Sequence, residues 1–197
     1  MLLVDLILAR PWEAIAVVFG IAYVVLAARE NIWCWPAALL STAIFSWLFW
    51  DVSLLMESAL NVYYLFMAVY GWRQWTKGSK DHSPQKIHSW GLKQHLISVS
   101  LIVILAISSG ILLSRYTQAA LPFLDSLTTW AAVIATYMVT RKVLENWLYW
   151  VVIDAVSVYL YIDRELYLTS ALFFGYIVVA IYGWYSWKRI FNETTDQ

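Results

Sequence analysis

The chain has 197 residues, of which 62% are hydrophobic and only 13% charged, with 13 Lys and Arg balanced by 13 Asp and Glu and a mean hydropathy of +0.65. Soluble domains are about 45–50% apolar and about 25% charged. The composition therefore excludes an ordinary soluble enzyme, a disordered tail and a nucleic-acid binder with a basic surface. It points to a polytopic membrane protein, with little chain left over for a soluble domain. One cysteine, Cys34, excludes an intramolecular disulfide and a Cys-based metal cluster. Interfacial belts account for part of the 13 Trp, 13 Tyr and 8 Phe; the excess of Trp predicts that some rings line a site.

The first ten residues, MLLVDLILAR, carry Asp5 and run into Pro11, so they read as an interfacial lead-in and not as a signal peptide. Apolar runs between charged breaks then predict seven membrane spans: 12–28, 32–50, 54–72, 94–114, 124–140, 146–162 and 166–187. Pro36 falls in the first turns of the second span, where proline is tolerated. The polar stretch 73–93 is the one real linker. Basic residues divide three to one set of loops and ten to the other. The larger set belongs in the cytoplasm, which places the N-terminus outside and the C-terminus inside.

An internal repeat is expected. Glu30-Asn31-Ile32-Trp33-Cys34-Trp35 matches Glu145-Asn146-Trp147-Leu148-Tyr149-Trp150 as E-N-x3-W, and both stretches close on Y-G-W-x2-W, at Tyr70–Trp75 and Tyr182–Trp187. The expected organisation is one membrane domain, 1–197. It comprises a first three-helix repeat (1–75), a cytoplasmic linker (76–93), a connecting helix (94–114) and a second three-helix repeat (121–187). This is a 3+1+3 parallel repeat of the SWEET kind. Each motif residue also has a plain structural reading: Glu-Asn as a helix cap, Gly as a point of close helix approach, Trp as an interfacial anchor.

Ionisable groups inside a membrane are functional candidates by default. Asp154 is eight residues into the sixth span, and Trp147, Trp150, Asp154, Ser157 and Tyr161 follow steps of three or four that gather them on one helix face. A carboxylate among aromatic rings suits an organic cation, through charge pairing and cation–π contact. A protonated Asp bonded to a neighbouring helix is the other reading. Glu57, Asn61 and Tyr64 share a face of the third span, with Glu57 near the outer rim. Trp47 is a candidate in the second span, beside hydroxyls that can bond back to their own backbone. His82, His88 and His95 do not form a metal spacing. No phosphate loop, H-E-x-x-H or nucleophile elbow occurs, so neither an enzyme nor a metal or cofactor site is expected.

At these residues the sequence resembles the PnuC family of bacterial vitamin transporters. The resemblance is carried by Glu145-Asn146-Trp147-x2-Trp150, by Val156-Ser157 and by Tyr70-Gly71-Trp72-x2-Trp75, and it extends from about Trp12 to Trp187. It implies a SWEET-related 3+1+3 arrangement in the bacterial inner (cell) membrane and a homotrimer. It also implies uptake of a vitamin by facilitated diffusion with alternating access, made one-way by phosphorylation inside the cell. In nicotinamide riboside members an Asn falls where this chain has Asp154, and a Gln tends to fall at Asn61. A carboxyl group suits the two-point edge of an aminopyrimidine, so these departures favour the thiamine (PnuT) branch. A nicotinamide riboside transporter is the alternative. The substrate-binding membrane subunit of an ATP-driven importer is a further one, and an intramembrane enzyme using Asp154 and Glu57 the least supported.

Overall fold

In the computed structural model, residues 11–51, 55–77, 85–117, 121–163 and 167–195 are described. The expected lead-in (1–10) lies outside them, as does part of the linker (78–84). The described residues are helical almost throughout: α1 (Pro11–Ala28), α2 (Cys34–Asp51), α3 (Leu55–Lys77), α4 (Leu92–Tyr116), α5 (Pro122–Thr140), α6 (Asn146–Asp163) and α7 (Tyr167–Thr195). Proline opens α1 and α5, where its missing N–H has no helical partner to lose. The chain divides into two compact units, 1–85 and 86–197. In the first, α2 packs against both α1 and α3. In the second, α4, α5, α6 and α7 pack each on the next.

The expectation of seven membrane spans is corrected. Among the described residues three helices are long and apolar enough to cross a bilayer: Pro11–Ala28, Leu92–Tyr116 and Thr169–Thr194. The apolar stretch of α2 is shorter, Cys34–Leu48. In α3 an acid, an amide and basic residues (Glu57, Asn61, Arg73, Lys77) interrupt the apolar run. Asp125 and several hydroxyls do so in α5, and Asn146, Asp154 and Asp163 in α6. The SWEET-like 3+1+3 repeat of seven spans is withdrawn with that count, and so is the orientation inferred from it.

The bilayer shows in α4. Its buried residues are Ser98, Ile102, Ala106 and Gly110, one narrow seam at every fourth position. Leu96, Ile97, Val99, Leu101, Val103, Ile104 and Ile107 stand exposed around the rest of the helix. A helix apolar all round with so thin a buried seam has lipid as its remaining solvent. At the seam Gly110 lies under Phe123 of α5, where a Cβ would come within 2.5 Å of the ring. Trp130 on α5 donates its indole N–H to Ser109 Oγ on α4 at 3.1 Å.

The same local packing recurs within each unit. The turn after α1 has Glu30 at φ 55°, and the turn after α5 has Lys142 at φ 54°. Each closes its helix by the same pair of bonds. Glu30 N–H donates to Ala27 O (2.9 Å) and Asn31 N–H to Leu26 O (2.9 Å); Lys142 N–H donates to Val139 O (3.0 Å) and Val143 N–H to Met138 O (3.0 Å). These are Schellman caps with a left-handed residue after the helix. After each cap a tryptophan lies over a glycine and edge-on to a second tryptophan. Trp35 covers Gly71 and meets Trp75 (centroids 5.3 Å, 88°); Trp147 covers Gly183 and meets Trp187 (5.5 Å, 88°). The Trp–Gly–Trp spacing is identical in the two. The E-N-x3-W pairing read from the sequence is therefore out of register with the packing: Glu30 corresponds to Lys142 and Trp35 to Trp147. These shared contacts are local and do not restore a seven-span repeat.

Hydroxyls also tie helix to helix. Ser58 on α3 donates to Ser46 O on α2 (2.8 Å), and Ser170 on α7 to Val158 O on α6 (3.3 Å). Buried Ser41 on α2 donates to Ala16 O on α1 at 2.8 Å, in space left by Gly20. Changing Ser41 to alanine should cost about 1 kcal/mol, read as a small fall in melting temperature of the detergent-solubilised protein. No fall would mean that the hydroxyl contributes nothing to the α1–α2 contact.

Candidate substrate site

Helix α6 carries most of the candidates because its inward face is polar where the neighbouring turns are valine. Asp154 is 4% exposed, and among the described residues its carboxyl makes no hydrogen bond. Ser157, one turn on, is also buried; its hydroxyl donates to Ile153 O at 2.9 Å, leaving its lone pairs as the free function. Tyr161 is half-buried and stacks on Phe173 of α7 (5.0 Å, 25°). Phe173 in turn meets Tyr176 edge-on (5.7 Å, 84°). The arrangement is a buried carboxyl on α6 and a short ladder of three rings that begins two turns further along the same helix.

Trp147 and Trp150 lie elsewhere on the same helix. Trp147 is 2% exposed and spent on the Gly183 and Trp187 contacts, with its indole N–H unpaired. Trp150 is half-buried and packs on the Ala132, Ala135 and Ile153 cluster shared with α5. In the first unit, Asn61 and Tyr64 are half-buried on α3. Tyr64 pairs with Tyr63 (5.6 Å, 58°), and Tyr23 on α1 leans on Trp35 (6.0 Å, 46°). Trp47 on α2 is 56% exposed. The backbone of Glu57 belongs to α3, but its side chain lies outside the described residues.

Phe173 and Tyr176 were not among the sequence candidates. A signal for Tyr176 exists: Tyr64 and Tyr176 stand the same distance before Gly71 and Gly183, the glycines that accept the tryptophan rings. A carboxyl group beside phenol and phenyl faces can hold an organic cation and accept hydrogen bonds from it. Among the described residues no group of three or more His, Cys, Asp or Glu is placed to hold a metal ion.

The described residues are helical, with a buried carboxyl, Asp154, on α6, and comparison with known proteins identifies the family. Residues 10–189 match the family described as Nicotinamide mononucleotide transporter. The nicotinamide riboside transporter PnuC of Escherichia coli is 24% identical over 206 residues, 92% of this chain and 86% of that protein. The riboflavin/roseoflavin transporter RibM of Streptomyces davaonensis is 22% identical over 175 residues, 86% of this chain and 81% of that one. The crystal structure of the vitamin B3 transporter PnuC shares the fold, with a TM-score of 0.72 at 20% identity over 96% of this chain and 87% of that one. The chain belongs to this PnuC family of membrane transporters: it is a bacterial multi-pass inner-membrane protein that carries a small nucleoside or vitamin, and it is not an enzyme.

Proposed function

We propose that the chain takes up nicotinamide riboside by facilitated diffusion with alternating access, and that phosphorylation inside the cell traps the product. The observation that carries the reading is the likeness to a nicotinamide riboside transporter over 92% of this chain; Asp154, 4% exposed on the helix that carries Tyr161, is the candidate partner for the positive charge. A carboxyl group on a helix lined with aromatic rings suits a cationic ligand with donor groups. Nicotinamide riboside is such a cation, and the E. coli relative named above is a transporter of it. The whole chain, 1–197, acts as one transporter domain in this reading, and the family resemblance adds a homotrimeric assembly. Asn61 and Tyr64 are candidates for substrate contact in the first unit, and Glu57 and Trp47 for the approach to it.

Thiamine is the second reading. It is favoured by an acid at position 154 in place of an amide, because a carboxyl group pairs with the ring nitrogen and amine of an aminopyrimidine. The test is a side-by-side titration of purified protein with nicotinamide riboside, thiamine and riboflavin, followed by uptake into proteoliposomes. Tight binding and unaided uptake of nicotinamide riboside are expected. Preference for thiamine would replace the substrate, and binding without uptake would point to a subunit that needs an ATP-driven partner.

A further inference from the structure

We propose that Glu145 is a positioning residue for uptake, a latch that ties the segment before α4 to the start of α6. Glu145 immediately precedes α6, and its backbone carbonyl accepts the Leu148 N–H at 3.0 Å. An acid in that place commonly turns back to cap its own helix. This one reaches across instead. Its carboxylate accepts hydrogen bonds from the Ser89 hydroxyl and, at 3.1 Å, from the backbone N–H of Trp90. His95, in the first turn of α4, brings Nε2 to 3.9 Å from the same carboxylate, while its Nδ1 meets the Tyr149 hydroxyl on α6 at 3.0 Å. The Trp90, His95 and Tyr149 rings lie one against the next (5.9 and 5.8 Å).

Backbone bonds complete the tie. His88 N–H donates to Lys142 O at 3.1 Å, and Leu144 N–H donates to His88 O at 2.9 Å. Ile87, Val143 and Leu144 are buried beneath this bridge. The approach to α4, the α5–α6 turn and the base of α6 are thereby held as one body. Asp154 lies nine residues further along the chain in α6, about 14 Å away at 1.5 Å per residue. Glu145 therefore does not touch a molecule held at Asp154. Any tilt of α6 must either carry the segment 85–91 with it or break bonds to a charged acceptor, which are stronger than neutral ones. The latch thus acts on the conformational step and not on affinity. The inference rests on the chain being a transporter and on no choice of substrate.

The test uses full-length protein in proteoliposomes, supplied with nicotinamide riboside, thiamine and riboflavin in turn. Wild-type uptake decides the substrate separately from the latch. Glu145→Gln should lower the maximal rate about tenfold, as expected for loss of one hydrogen bond to a charged group. Its KM should stay within about threefold of wild type. Amide exchange at His88 and Leu144 should quicken, a readout that needs no substrate. Glu145→Asp should retain most of the rate, and Ser89→Ala should fall between the two. An unchanged rate in Glu145→Gln, a rise in KM without loss of rate, or unchanged amide exchange would each overturn the proposal. If Glu145→Gln does not fold, Ser89→Ala decides: faster exchange with a wild-type rate overturns it, and faster exchange with a lowered rate supports it.

Discussion

Alanine at Gly183 is expected to lower the melting temperature of the solubilised protein by several degrees, and alanine at Gly71 to do the same. A Cβ at residue 183 would come 2.6–2.7 Å from the Trp147 ring, and one at residue 71 would come 2.4–2.6 Å from the Trp35 ring. Real Cβ atoms do not approach so closely, so a ring or a helix must move. Neither ring has room. Trp35 and Trp147 are each 2% exposed and braced edge-on by Trp75 and Trp187. Overpacking of this kind costs about 1–3 kcal/mol, and each kcal/mol moves the transition of a chain this size by about 2–4 °C. Gly175 is the control: a Cβ there meets nothing within 4 Å. Gly175→Ala should be neutral or slightly stabilising, since alanine is the better helix former. In the Gly183→Ala background, Trp147→Phe should recover part of the loss by shrinking the ring. Wild-type melting of Gly183→Ala and Gly71→Ala would show that the helices tolerate a shift of several tenths of an ångström at these contacts.

Asp154→Asn is expected to move binding and stability in opposite directions. The amide keeps the shape and removes the charge. Affinity for thiamine should fall about tenfold or more, because hydrogen bonds to charged groups contribute about 1.5–3 kcal/mol and each 1.4 kcal/mol is a factor of ten, whereas nicotinamide riboside, a carboxamide, should bind no more weakly. Stability should hold or rise, since the carboxyl is 4% exposed and has no hydrogen bond among the described residues. Titration by intrinsic Trp fluorescence, beside a melting curve, reads both quantities on one preparation. A group kept for structure would lose stability when neutralised. A melting temperature that falls while affinity is unchanged would remove Asp154 from the substrate site.

Several features are legible without the fold. Helix boundaries follow from where charged and turn residues interrupt the apolar runs: the fifth run spans 124–140 and the helix is Pro122–Thr140; the sixth spans 146–162 and the helix is Asn146–Asp163. Composition determined that the protein lives in a bilayer, and the motif residues determined its family. The face shared by Asp154, Ser157 and Tyr161 follows from helical spacing alone. The number of spans does not, because helical periodicity says nothing of how many polar groups one helix can carry through lipid. The acids, amides and hydroxyls of α3, α5 and α6 leave three helices that are long and apolar enough.

Other features only the tertiary structure decided. Matching letters paired Glu30 with Glu145, whereas backbone conformation pairs Glu30 with Lys142. Letters report side chains, and a Schellman cap is made by backbone atoms, so the true register was invisible until the turns were built. The same holds for Glu145, whose partners Ser89 and Trp90 are more than fifty residues away. It holds also for Phe173, which reaches Tyr161 only because α7 packs on α6. Local sequence determines which residues share one helix face. Contacts between helices depend on how those faces dock, and docking is set by shape, as at Gly71 and Gly183, where the absence of a side chain lets a tryptophan ring lie directly on a helix.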